Sequence, residues 1–447
     1  APVSAVGRAC ATFGTSQTPA ASLDVASTTL QGDQGSADGD NAATVVPGAE
    51  VPGLTVRRPG TWATATTSAA RSTSVAIRAS GGLAPLSDAF AVTRPAGDLG
   101  GGLAVQQCPE ATASSWFVGA GSTTSHPSTL VLTNPSDIES VVDIGMYGAD
   151  GSISVVGGSS IVIDPGTTRR IPLERLATGE DDVAMSVLTS RGTVSASVLD
   201  ATGDLSSYTG SDYLPAASPP STDALITGVP ADSDDGREML VANPSDSAAN
   251  VSVSVVGKDG SFTPSDLQDV SVAAGSVKTV ELPEKVGSGA LSVRLTSNVP
   301  VTGTVRATTT GGDGDVSYAV AQDDFQGPVP VPFTIGDALD GTTVDVAAVS
   351  GSPEADGSLR VRAHTADGTT VGEEATVDLP AGTTVSFDPL DETGAPAGQV
   401  AYVTVEPDDA GARAAVTYRD GDSWSTNPLS DLPETVDRPA VVPGGGL

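Results

Sequence analysis

Leu130-Val131-Leu132-Thr133-Asn134-Pro135-Ser136-Asp137 returns as Met239-Leu240-Val241-Ala242-Asn243-Pro244-Ser245-Asp246, 109 residues further on. Both copies end an apolar run on the same four residues. Asp150-Gly151-Ser152 returns as Asp259-Gly260-Ser261 at the same offset and again as Asp367-Gly368-Thr369. Asp-Gly between alternating runs such as Val251 to Val256 predicts hairpins with type I′ turns. A third mark, a small turn ahead of an apolar strand, falls at Gly60, Gly166, Gly275 and Gly382. A fourth, Gly-Asp after the longest strand pair, falls at Gly97-Asp98, Gly203-Asp204, Gly314-Asp315 and Gly421-Asp422.

A repeat of about 107 residues is too long for a solenoid turn of roughly 20–50 and fits a self-contained sandwich of roughly 100. The expectation is an all-β chain of four tandem immunoglobulin-like β-sandwich units at 1–109, 110–217, 218–328 and 329–436, with a Gly/Pro-rich tail over 437–447. The first unit diverges most, carrying Ala26-Ser27-Thr28-Thr29 where the second and third carry Asn-Pro-Ser-Asp; in the fourth the motif has decayed to Ser350-Gly351-Ser352-Pro353. The Pro-rich joints Pro215 to Pro220 and Pro328 to Pro332 predict semi-rigid links, hence an extended or gently curved rod.

Composition agrees with strands. Only 17% of the 447 residues are charged, aromatics make up 4%, and there are 52 Gly and 32 Pro. The net charge of −34 repels phosphate backbones and anionic headgroups, which excludes nucleic-acid and membrane-surface binding. The two cysteines, Cys10 and Cys108, flank one unit, and a disulfide explains them better than a metal site needing about four ligands. An oxidising, extracytoplasmic compartment follows. No apolar run approaches the roughly 20 residues that span a bilayer. A signal peptide or anchor is expected to have preceded Ala1, so membrane anchoring would lie outside this stretch.

Catalytic chemistry is not expected. Acyl transfer needs a nucleophile beside a base, and the two histidines, His126 and His364, fall in different units and read as exposed. Acidic pairs are unavoidable among 55 Asp and Glu and read as solvated charge. The groups Asp33/Asp38/Asp40, Asp232/Asp234/Asp235 and Asp313/Asp315 resemble calcium loops only in part, lacking the full EF-hand spacing. No catalytic residue, metal site or cofactor is assigned. Turn chemistry accounts for Asn134 to Asp137. Trp116 is expected to pack inward, whereas Trp424, with Tyr208 and Tyr213, is the candidate exposed patch for a glycan or protein partner.

The order Leu103 to Cys108, then Ser115-Trp116-Phe117-Val118-Gly119, then Asn134-Pro135, resembles an actinobacterial family of secreted or membrane-anchored proteins of unknown function. Members tend to be encoded near envelope glycosyltransferases. The resemblance implies a non-enzymatic scaffold or interaction protein of the cell envelope, partnering an envelope protein complex or a surface polysaccharide. The alternative is a glycan-binding or adhesive surface module.

Overall fold

The computed structural model describes residues 3–13, 22–31, 38–46, 50–68, 74–95, 101–204, 207–232, 236–283, 285–309 and 314–434. The chain is all-β with antiparallel sheets, and Pro389–Thr393 is the one α-helix among the described residues.

In the first stretch the strands are β1 (Ala5–Ala11), β2 (Ser22–Thr29), β3 (Gly39–Val46), β4 (Glu50–Val56), β5 (Trp62–Ser68), β6 (Ser74–Gly81), β7 (Ser87–Thr93) and β8 (Ala104–Gln107). They form two sheets, β1-β6-β3-β4 and β5-β2-β7-β8. The same order, first-sixth-third-fourth and fifth-second-seventh-eighth, recurs within 114–214, 221–322 and 329–428. The second and third stretches add a short strand beside the third (Ile161–Ile163 and Val270–Val272). In the third stretch the sixth and seventh strands are one element, Lys285–Thr309, which crosses from one layer to the other and joins both into an eight-stranded sheet.

Period-two alternation builds these layers. Val142, Ile144 and Met146 of Ser140–Gly148 point inward, as do Val251, Val253 and Val255 of Ala249–Gly257. The repeated Asn is buried and makes the same bonds in both copies. Asn134 Oδ1 accepts the Ser136 amide at 3.0 Å while Nδ2 donates to the Ile138 and Ile163 carbonyls. Asn243 accepts the Ser245 amide at 3.0 Å and donates to Ser247 and Val272. The Asp-Gly hairpins differ from the expected type I′: neither Asp150 nor Asp259 has a positive φ, which falls on Gly151 (+130°) and Gly260 (+119°). Of the Gly-Asp turns, Gly97-Asp98 lies outside the described residues.

The chain is not a rod. The four stretches close into a ring, each packed on the next and the fourth on the first. The first meets the second where Pro135 lies against Gly7, Ser195 Oγ donates to Pro109 and Arg78 pairs with Asp137. The second meets the third through Val118 and Ala184 against Leu240, Ala242 and Val277. The third meets the fourth where Thr384 bonds Val256 and Gly257. The fourth returns to the first through Trp62, Phe90 and Leu86, which share a buried cluster with Tyr402 and Val403. Backbone bonds from Val3 to Glu434 (3.0 Å) and from Leu86 to Pro433 (3.1 Å) complete the seam.

Closure has a physical cause. The outward faces of several strands carry apolar and aromatic side chains, and these leave water only against a neighbouring stretch. The joint at Pro328 is not a free link either, since Val329–Pro332 is an edge strand paired with Tyr402–Val405. Prolines are compatible with an edge because one side of the strand needs no donors.

Candidate functional site

The eighth strands of the four stretches, Ala104–Gln107, Ser207–Leu214, Asp315–Gln322 and Ser423–Pro428, converge at the ring's centre. Their meeting is polar. Asp315 is buried and accepts three backbone amides, from Val316 (2.8 Å), Leu103 (3.3 Å) and Trp424 (2.9 Å), so one side chain ties three stretches together. Asp212 is also buried and accepts the Tyr213 amide (2.8 Å) and the Ser425 hydroxyl (3.0 Å) through Oδ1. Ser425 Oγ accepts the Val105 amide at 3.1 Å and Asn427 Nδ2 donates to the Val105 carbonyl, binding the last stretch to the first. The approach is close enough that a Cβ on Gly210 would sit 2.7 Å from Asp315 Cα.

Burial penalises the charged form of both carboxyls. It pushes Asp315 up to about 7, against the pull of its three amides. It pushes Asp212 well above the usual carboxylate range, and the charge of Asp315 adds to the rise. Asp88, in the first stretch, is likewise raised by burial although Arg8 lies 3.3 Å away and Gln107 donates to it.

A second polar cluster surrounds Asp200. His126 Nε2 lies 3.0 Å from Asp200 Oδ2, to which Tyr318 Oη also donates, while Ser128 Oγ donates to Oδ1. His126, expected on the surface, is buried with Nδ1 against the Asp181 carbonyl. Both ring nitrogens face acceptors, which suits the doubly protonated imidazolium. Burial alone would lower the His126 pKa; the charge of Asp200 and its hydrogen bond outweigh that and raise it. The cluster holds Ser, His and Asp, yet Ser128 bonds to the carboxylate rather than to the imidazole. The base is thus not placed to take the hydroxyl proton.

An open groove of about 420 Å³ lies between the first and fourth stretches, lined among others by Arg360, Arg362, His364, Glu406, Leu30 and Leu86. Glu406 pairs with both arginines, and Arg362 also pairs with Glu374. Beneath it His364 stacks on Tyr402 (4.8 Å between centroids) and Tyr402 on Trp62 (5.1 Å). His364 Nε2 is 3.0 Å from Thr404 Oγ1, and burial lowers its pKa, keeping the ring neutral near pH 7.

The aromatic patch expected at Trp424, Tyr208 and Tyr213 does not form. Trp424 is 3% and Tyr213 2% exposed. Trp424 lies under Arg419, 4.6 Å from the ring, and Tyr213 donates to the Ala11 carbonyl at 2.7 Å. Tyr208 is half-buried and reaches the Thr124 carbonyl. The exposed side of each terminal hairpin is covered by a neighbouring stretch, which alternation along one strand does not reveal. Trp116, expected inside, is instead half-buried and stacks on Tyr147 at 6.1 Å.

Cys10 and Cys108 form a disulfide closing a separation of 98 residues. Among the described residues no group of three or more His, Cys, Asp or Glu is placed to hold a metal ion. Asp33, Asp234, Asp235 and Asp313 lie outside the described residues; Asp315 is no loop residue but the buried junction above. No described helix is long and apolar enough to cross a membrane.

A family model described as a family of unknown function, DUF5719, matches residues 63–390. The chain belongs to DUF5719. That match takes in the second and third stretches whole, the later strands of the first and the earlier strands of the fourth. No curated protein matches this DUF5719 chain. Among solved structures, a tetra-tandem repeat in the extending region of a large adhesion protein is similar at 12% identity over 93% of each chain, with a TM-score of 0.13.

Proposed function

We propose that this chain is a non-enzymatic, extracytoplasmic scaffold of the actinobacterial cell envelope, four immunoglobulin-like sandwich units at 1–109, 110–217, 218–328 and 329–436 holding a rigid surface for a partner in polysaccharide assembly or export. One observation carries the reading: Asp315, Asp200 and His126, all buried, spend their hydrogen bonds on neighbouring strands. Asp315 binds three backbone amides of three stretches, and His126 and Tyr318 converge on Asp200 from two. Catalytic groups instead face an open cleft with partners left for substrate. The disulfide supports an oxidising compartment. The envelope setting rests on the family resemblance.

The test immobilises the full chain and passes detergent-solubilised envelope extract over it. Retention of a discrete set of envelope proteins, lost when the ring is opened by Trp62→Ala, is the expected result. Turnover of any envelope substrate by the purified chain would overturn the reading.

A second reading, a glycan-binding surface, is favoured by the Trp116–Tyr147 stack and by the polar groove at Arg360 and Arg362. Its mark would be retention of purified surface polysaccharide by the native chain and loss of it in Trp116→Ala or Arg362→Ala.

A further inference from the structure

Asp212 and Asp315 sit on eighth strands of the second and third stretches that touch at the centre of the ring. Gly210, two residues before Asp212 and on the same side of its strand, lies so close to Asp315 that no side chain would fit between them. Adjacent residues of the fourth stretch bind the two carboxyls, Trp424 through its amide to Asp315 and Ser425 through its hydroxyl to Asp212. Every oxygen of Asp315 has a donor, and Asp212 Oδ1 has two. Asp212 Oδ2 has none, though it is fully buried. Among the described ion pairs no arginine or lysine reaches either carboxyl.

A buried carboxylate oxygen with no donor and no basic partner, in the field of a second buried carboxylate, is costly while charged. One proton on Asp212 removes that charge. We infer that Asp212 is held as the neutral carboxylic acid at the centre of the closed ring, and that this bound proton holds the second, third and fourth stretches together. The site is independent of the partner proposed above.

The charged groups around the pair favour the proton. Asp200 is the cross-strand partner of Asp212, and His126 and Tyr318 both bond to its Oδ2. Arg306 is taken up by Asp182 and Glu238, and Arg419 lies over Trp424 rather than at the carboxyls. On the first stretch's side Leu103 presents only an amide, and Arg8 is held by Asp88 and Glu110. Raised carboxyl pKa values mean that the folded ring binds more protons than the unfolded chain. Stability is then complete below the unfolded carboxyl range, near 4, and is lost as pH rises, the share of Asp315 through about 7 and that of Asp212 well above the usual carboxylate range.

The experiment is infrared difference spectroscopy of the full chain from pH 5 to 9, read beside thermal melts at fixed, high ionic strength. A protonated-carboxyl band persisting at pH 7, absent in Asp212→Asn, is expected. The melting temperature should fall from pH 5 to 8 in the native chain, and Asp212→Asn should remove at least half of that fall. The surface control Asp246→Asn should leave it unchanged. If Asp212→Asn does not fold, Ser425→Ala decides, since losing a donor to the anion must move the band's midpoint upward. Full ionisation of all carboxyls by pH 6, an unmoved midpoint in Ser425→Ala, or equal pH slopes in native chain and Asp212→Asn would overturn the proposal. So would a calcium-dependent rise in melting temperature at pH 8 that Asp212→Asn abolishes, because the pair would then be a cation site.

Discussion

Trp62 Nε1 donates a hydrogen bond of 2.8 Å to the carbonyl of Thr334, 272 positions further along the chain. The Trp62 amide reaches Ala366 at 2.8 Å, and Tyr402 Oη returns to the Gly60 carbonyl at 2.7 Å. The ring therefore shuts on one indole.

Trp62→Ala should lower stability by about 3–5 kcal/mol, the usual cost of emptying a buried aromatic site. Trp62→Phe keeps most of the packing and leaves the Thr334 carbonyl without its donor, at about 1–3 kcal/mol. Denaturant titration gives both values. Small-angle scattering should show a larger radius of gyration for Trp62→Ala in native buffer; an unchanged radius would place closure elsewhere.

Reduction of Cys10–Cys108 should destabilise the chain by up to roughly 4–5 kcal/mol on the loop-entropy model for so long a loop. The first stretch packs on both the second and the fourth, so its loss does not stay local. Calorimetry with and without reductant should show the main transition moving down. A small separate transition for one quarter of the chain, with the rest unmoved, would contradict the coupling.

His126 should titrate above its ordinary value near 6.5. Its stabilising charge is fully present below the unfolded pKa and is lost as pH rises through the folded one. Imidazole proton resonances of the native chain and of His364→Gln, which removes the other histidine signal, give the midpoint directly. His126→Gln should remove the pH dependence assigned to it and cost about 1–3 kcal/mol at pH 6, since Asp200 loses a charged partner.

Gly210→Ala should cost about 1–3 kcal/mol by overpacking, because its Cβ would meet the backbone of Asp315, which has no freedom to move aside. Gly398→Ala, where nothing lies within 4 Å, is the matched control and should stay within about 0.5 kcal/mol of the native chain. Equal stabilities for the two variants would refute the tight central packing.

The strands and their turns were legible because their causes are local. Alternation marked Val251 to Val256 as a strand, whose Val251, Val253 and Val255 point inward, and Asn134 and Asn243 announced turns that their side chains close. The ring was not legible. A side chain on the outer face of a strand meets either water or another sandwich, and one strand's pattern is the same in both cases. Trp424 and Tyr213 looked like a platform for that reason, and His126 like a loop histidine. A signal was present in Asp88, Asp212 and Asp315. Each lies among apolar strand residues and accepts the amide of the residue after it at 2.8 Å, an acid placed where only burial and a partner explain it.

The bond between the Val3 amide and the Glu434 carbonyl has a mechanical consequence. Tension applied at residues 3 and 434 would not stretch four sandwiches in series. It would load the contacts between the first and fourth, peeling Leu86 from Pro433 and Trp62 from Thr334 and then Asn427 from Val105 at the centre. Between those two points the molecule behaves as a buckle, short and stiff until the clasp yields and several times longer once it has.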